Sequence, residues 1–266
     1  MPAFETKPGT ATGSPALELI GVTITALHSP DRVVLRDVNW RIDTGDFWVV
    51  AGLHHSGKSD LMCLVAGLMP PHAGTRRIFG ERLGMSPEQA SIRLRLGLVF
   101  DGGQLLSHLT VRQNIALPLL YHRSSDPQGA ESAVNSLLEL TELTPWADRL
   151  PNDVGRNWRQ RAGLARALAL RPEVLLLDSP LTGLDPVDTQ WWTDLLGALS
   201  RGHSIVDGRP LTLVATADDL RPWRRLANRF AILQNQRFVA IEPDTVCTVP
   251  DEALLQQLLG RRTTRA

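Results

Sequence analysis

Short apolar runs bounded by polar turns recur along the chain, interleaved with longer segments of helical spacing. That alternation predicts an α/β fold. Residues 17–20 and 22–24 read as a first strand. Residues 33–35 and 38–42 alternate as a strand with one buried face, and 43–46 is a turn. The run Phe47-Trp48-Val49-Val50-Ala51 is continuously apolar and reads as a buried strand. Residues 60–67 then read as a helix closed by glycine, 70–74 as a loop and 75–80 as a short strand. Residues 96–100 form another buried strand. Thr110 stands as the N-cap of a helix around 109–116, with Pro118 late in it and expected to bend it. Residues 132–140 and 157–170 are helices, the second with Ala162, Leu164, Ala165 and Leu168 on its packed face. A strand at 173–178 and a later one ending near Ala217 complete the pattern.

Composition narrows the classes. A chain of 266 residues with 43% hydrophobic content can bury a full core, as one large or two small domains. The formal net charge is zero, so no basic field speaks for nucleic acid. Cys63 and Cys247 match no metal or redox spacing and read as reduced thiols. Residues 1–15 are rich in Pro, Gly and Thr without an apolar core, which predicts a disordered tail rather than a leader or an anchor. Residues 16–245 read as the functional domain and 246–266 as a C-terminal helix and tail. No apolar run approaches the length of a membrane span, so any work at a membrane requires another subunit to supply the spans.

The candidate chemistry lies in Gly52-Leu53-His54-His55-Ser56-Gly57-Lys58-Ser59. A strand, a glycine-bounded loop and a helix follow in the order that a phosphate-binding loop requires. Backbone N–H groups and the helix N-terminus favour an anion there. Lys58 is placed to reach the β- and γ-phosphates of a nucleotide, and the Ser59 hydroxyl to ligate Mg²⁺. The second landmark is Glu173-Val174-Leu175-Leu176-Leu177-Asp178. A buried strand that ends in a carboxylate delivers it to the sheet edge where ligands of open α/β sheets bind. Asp178 is therefore a candidate for Mg²⁺, directly or through water.

From Leu17 to Ile241 the order of segments resembles an ABC-transporter nucleotide-binding subunit, a P-loop NTPase fold with an antiparallel β subdomain and a helical subdomain. Leu177-Asp178-Ser179-Pro180-Leu181-Thr182-Gly183-Leu184-Asp185-Pro186 matches the family's Walker B segment running into its D-loop, with Asp185 in the latter. The stretch from Leu150 to Arg161 stands where the family carries its signature. Asp101 stands at the Q-loop glutamine. The resemblance implies ATP and Mg²⁺ as ligands and a dimer, of identical or different ATP-binding subunits, that sandwiches ATP between one P-loop and the partner's signature. It also implies a helical subdomain near 101–157 that docks on a multi-span permease through residues 105–121. The chain would then be cytoplasmic and peripheral on the inner face of the cell membrane. Asp101-Gly102-Gly103-Gln104-Leu105-Leu106-Ser107-His108-Leu109-Thr110-Val111, with Ala116-Leu117-Pro118-Leu119, is most similar to Mla-type phospholipid-transport ATPases.

The departures from that pattern are as informative as the matches. Ser179 stands at the catalytic glutamate and Ala217 at the switch histidine. A serine hydroxyl does not ionise at neutral pH and cannot polarise water as a carboxylate does. Asp101 is a candidate Mg²⁺ ligand with a shorter reach than glutamine. Gly155, Arg156 and Asn157 replace the signature serine and paired glycines; Arg156 is either a bidentate phosphate contact or a solvated surface arginine. His55 replaces a glycine of the P-loop. Asp60 replaces a threonine, suits a helix N-terminus, and repels an α-phosphate. His54 and His55 carry no assigned catalytic role, and no tyrosine precedes Val33 to stack on adenine; His28 is the nearest ring. The expectation is an ATP-binding transport subunit with weak or absent hydrolysis. The alternatives are a fully active ATPase using substitute residues, and a regulatory or structural relative outside transport.

Overall fold

The computed structural model describes residues 15–83, 89–122 and 127–241. The expected tail at 1–15 and the C-terminal helix at 246–266, with Cys247, lie almost wholly outside them.

Two sheets are built by different rules. The antiparallel one has the order β2-β1-β4-β5: β1 (Leu17–Ala26), β2 (Ser29–Ile42), β4 (Ala73–Ile78) and β5 (Glu81–Arg82). The two short runs expected at 33–42 are one strand of 14 residues, its pairing with β1 kept through register shifts. The central sheet has the order β10-β9-β3-β8-β7-β6. Its strands are β3 (Phe47–Gly52), β6 (Leu96–Val99), β7 (Val174–Leu177), β8 (Thr212–Ala217), β9 (Arg229–Gln234) and β10 (Arg237–Ile241). All pair in parallel except β10 with β9.

Period-two alternation gives this sheet two apolar faces. Phe47, Val49, Ala51, Leu175, Leu177, Leu213 and Ala215 join one buried cluster, while Trp48, Val50, Val174, Leu176 and Val214 join the other. The first cluster is covered by α3 (Val111–His122), α4 (Pro127–Leu140), α5 (Arg156–Leu168) and α6 (Pro186–Arg201). The second is covered by α1 (Lys58–Val65), α2 (Ala90–Leu94) and the antiparallel sheet. Each buried leucine or valine on these faces contributes about 1.5–3 kcal/mol. Ala162, Leu164, Ala165 and Leu168 of α5 are buried as expected.

The helix after Thr110 closes with a reciprocal cap. The Gln113 N–H donates to Thr110 Oγ1 at 3.2 Å, and the Thr110 N–H donates to Gln113 Oε1 at 2.9 Å. Pro118 sits inside α3, which continues to His122. Helix α6 goes beyond the elements that the sequence pattern predicts. Asp185 caps it, its side chain accepting from the Asp188 N–H at 2.8 Å, with Pro186 opening the first turn.

Candidate functional site

The strand order β3-β8-β7-β6 sets four carboxyl ends side by side, and each delivers one part of a single cavity. Strand β3 gives the Gly52–Ser59 loop, β8 gives Asp218, β7 gives Asp178 and Ser179, and β6 gives Asp101. The cavity is about 310 Å³ and is lined by these groups with His54, His55, Gly57, Asp60 and Thr182.

The loop is shaped by backbone requirements. Gly57 caps α1 with φ 95° in the left-handed region. A Cβ on Gly52 would lie 2.4 Å from Ser56 Oγ and 3.2 Å from the Cβ of Leu233, so a larger residue would have to displace the Ser56 side chain. His55 also adopts φ 63°, where a side chain is strained. The first N–H groups of α1 have no intrahelical acceptor and face this end. The Ser56 hydroxyl is buried without a hydrogen-bond partner. A phosphate fits such a cradle of uncommitted donors. Lys58 is 7% exposed; its ammonium donates to the carbonyls of Gly52 at 2.6 Å and Leu53 at 3.0 Å and lies 2.8 Å from Asp218 Oδ1.

Asp178 is 6% exposed. Its Oδ1 accepts from the Thr216 hydroxyl at 2.8 Å, and Thr216 Oγ1 in turn accepts from the Ser179 N–H at 2.8 Å. Ser179 adopts φ 50°, and its hydroxyl lies 3.3 Å from Thr216 Oγ1. The residue before Ala217 thus steers the carboxylate, a role invisible in sequence because β8 lies beside β7 only once the strand order is known. Ala217 itself is buried in the helix-side core and does not line the cavity.

Arg156 is partly exposed and lies outside this chain's own cavity lining. Its guanidinium pairs with the Asp101 carboxylate and donates to the Thr182 carbonyl at 2.6 Å. Asp101, about half exposed, lines the cavity while paired with this arginine. The loop after β6 is fastened to α5 twice more. Arg166 donates to the carbonyls of Gly103 at 2.9 Å and Gln104 at 3.1 Å, and a Cβ on Gly103 would lie 2.1 Å from the Arg159 carbonyl oxygen. Burial lowers the Arg166 pKa. Gly155 caps α5, and Asn157 Oδ1 is buried without a partner. None of the three signature positions lines this chain's own cavity. Asp60 accepts from the Leu27 N–H at 2.8 Å, which ties α1 to the β1–β2 turn. Cys63, on the next turn, has its thiol pushed up to about 11 by burial and then by Asp178 and Asp60. Among the described residues no helix is long and apolar enough to cross a membrane.

Fold and cavity together define a P-loop cassette: a parallel sheet whose carboxyl edge carries a backbone phosphate cradle, a lysine and an acidic strand end. Residues 35–182 match the family model described as ABC transporter, and the chain belongs to that family. The family binds ATP with Mg²⁺. The chain is 35% identical over 235 residues to the sulfate/thiosulfate import ATP-binding protein CysA of Mycolicibacterium paratuberculosis, covering 88% of this chain and 62% of that protein. It is 43% identical over 228 residues to the CysA of Synechococcus elongatus, covering 85% and 63%. It is 35% identical over 206 residues to the methionine import ATP-binding protein MetN of Bifidobacterium longum, covering 76% and 49%. The chain thus spans less than two thirds of the length of these curated relatives. Among solved structures, the post-hydrolysis dimer of the ATP-binding cassette MJ0796 bound to ADP and Pi superposes with a TM-score of 0.76 at 27% identity, covering 85% of this chain and 98% of that one. The cbiO1 subunit from Clostridium perfringens, at 20% identity and a TM-score of 0.73 over 88% and 90%, bears on the fold alone.

Proposed function

We propose that this chain is the ATP-binding subunit of an ABC-type transport complex that binds Mg-ATP and hydrolyses it slowly or not at all. The observation that carries the reading is the contrast at the sheet edge: a phosphate cradle with Lys58 beside a β7 end that follows Asp178 with Ser179 rather than a second carboxylate. Lys58 and the loop N–H groups would hold phosphate, with Ser59 and Asp178 on Mg²⁺, which supplies charge neutralisation when bound. The Ser179 hydroxyl stays beside Thr216 and provides no base. Ala217 provides no donor to a terminal phosphate.

The partner would be a multi-span permease. Exposed Leu106, Leu117, Leu120 and Tyr121, on and before α3, support docking there and a peripheral position on the inner membrane face. The cassette would pair with a second ATP-binding subunit, whose signature completes each site. Cargo would be bound outside this chain, by the membrane partner. The phospholipid assignment is supported by the segment 101–119, whereas the relatives named above are import proteins for sulfate, thiosulfate or methionine.

A fully active enzyme is the second reading, because Asp101 and Asp218 bring carboxylates to the same cavity. Phosphate release at saturating Mg-ATP separates the two. Mg-ATP should stabilise the wild type by about 2.7 kcal/mol at a hundredfold excess over Kd, and Lys58→Ala should abolish this. Turnover should be about 10²-fold or more below a glutamate-bearing cassette. Ser179→Glu with Ala217→His should raise it about tenfold, and adding Arg156→Gly and Asn157→Gly should give more than the sum of the separate gains. Robust turnover by the wild type, lost in Lys58→Ala, would overturn the proposal.

A further inference from the structure

The Lys58 ammonium is already engaged on three sides: it donates to two carbonyls and forms an ion pair with a carboxylate. An ammonium has three donors. Here Gly52 O lies at 2.6 Å, Leu53 O at 3.0 Å and Asp218 Oδ1 at 2.8 Å. The two carbonyls belong to the loop itself and orient the lysine. The third partner is a carboxylate held where the ammonium would otherwise meet phosphate.

The other cavity carboxylates have different partners. Asp60 accepts from the Leu27 N–H, Asp101 from Arg156 and Asp178 from the Thr216 hydroxyl. Asp218 alone of the four is paired with Lys58. Its side chain is a third exposed, while that of Lys58 is 8% exposed. Water is therefore available to a displaced carboxylate but not to a displaced ammonium. His54 Nε2, on an 83% exposed side chain, is 3.9 Å from Asp218 Oδ2 and offers a second resting place. Just beyond, Asp219 is occupied by Arg221, with Nε at 2.7 Å, and lies outside the cavity lining.

We propose that Asp218 is a built-in competitor for the phosphate-binding ammonium, and so the residue that sets nucleotide affinity and its dependence on divalent cation. This rests on reading the cavity as a nucleotide site. An incoming phosphate exchanges with the carboxylate on Lys58 and then lies close to it. The repulsion grows with the charge of the nucleotide, so it is larger for metal-free ATP than for Mg-ATP, in which the cation neutralises part of the phosphate charge.

The test is calorimetric titration of the full chain with Mg-ATP and with ATP in excess EDTA. Wild type, Asp218→Asn, Asp218→Ser and Asp219→Asn are compared, with thermal unfolding to confirm that each is folded. Asp218→Asn keeps shape and removes charge, so it should tighten metal-free ATP about tenfold or more and Mg-ATP by a smaller factor. Asp218→Ser should behave alike and Asp219→Asn like wild type. Binding that Asp218→Asn and Asp218→Ser leave unchanged or weaken, in a wild type that binds Mg-ATP, overturns this inference alone. Absence of binding in every folded variant with either form overturns it together with the nucleotide reading.

Discussion

The Gly52–Ser59 loop meets the cavity with backbone, while the loops after β6, β7 and β8 meet it with side chains. The first region tolerates substitution. His55 stands in the left-handed region and Asp60 sits in the first turn of α1, yet the glycine geometry at Gly52 and Gly57 and the buried lysine persist. Phosphate binding by N–H groups depends on where the chain runs, not on what each residue carries. The second region has no such tolerance. Its chemistry depends on a particular functional group at a particular atom, and on the proposed reading Ser179 or Ala217 in a correct backbone would not restore it. Binding and turnover can therefore separate within one fold, as the proposed function requires.

The largest expected effect would test whether the facing loops are as fixed as they look. Gly103→Ala drives a methyl onto the Arg159 carbonyl oxygen, 2.1 Å from the Cβ position, at a residue with φ 79°. Backbone on both sides leaves little to give, and Gly163 packs on the same spot, its own Cβ position 2.8 Å from Gly103 Cα. Chemical denaturation should show a loss of about 3 kcal/mol. A loss under about 1 kcal/mol would mean that the loop after β6 moves freely against α5, and the contrast with the cradle would fail.

What the sequence disclosed follows the same division. The buried strands at 47–51, 96–100 and 173–178 were legible from unbroken apolar runs, and the P-loop from glycine and lysine spacing, because these depend on local pattern. Helix α6 is not singled out by the pattern because Asp185 belongs both to the D-loop segment and to a helix cap, with Pro186 a favoured first helical residue. Strands β9 and β10 follow a basic stretch and gave only short apolar runs. Non-local partners were beyond reach altogether. The pairs Arg156–Asp101 and Lys58–Asp218 join residues far apart in sequence: the second forms because β3 and β8 end side by side, the first because the start of α5 packs on the loop after β6.

A smaller effect concerns the cradle. If its function lies in backbone path, His55→Gly should preserve nucleotide binding and relieve strain. Leaving the left-handed penalty behind gains about 1–2 kcal/mol, offset by about 0.5–1 kcal/mol of extra freedom in the unfolded chain. The expected result is a net stabilisation of about 0.5–1 kcal/mol in thermal or denaturant unfolding, with Kd for Mg-ATP nearly unchanged. A large loss of affinity would show instead that the imidazole of His55 binds the ligand, and the cradle could no longer be called a backbone device.

The smallest effect addresses the clasp between the facing loops. Arg156 and Asp101 are both substantially exposed, at 39% and 52% of their side chains, so solvent and salt screen the pair. A double-mutant cycle with Arg156→Ala and Asp101→Ala should give a coupling of about 0.5 kcal/mol, diminished further at high salt. Arg156→Ala alone should cost more than that coupling, because it also leaves the Thr182 carbonyl without the donor now 2.6 Å away. If the clasp only staples loops, both variants should bind nucleotide as the wild type does. If it also keeps Asp101 from the ligand, Arg156→Ala should weaken metal-free ATP binding through the freed carboxylate, and Asp101→Ala should remove that penalty. The sign of that second-site effect separates a passive staple from a group that neutralises charge at the cavity mouth. A coupling well above about 1 kcal/mol would contradict the exposure of both groups and point to a closed, drier arrangement of these loops in solution.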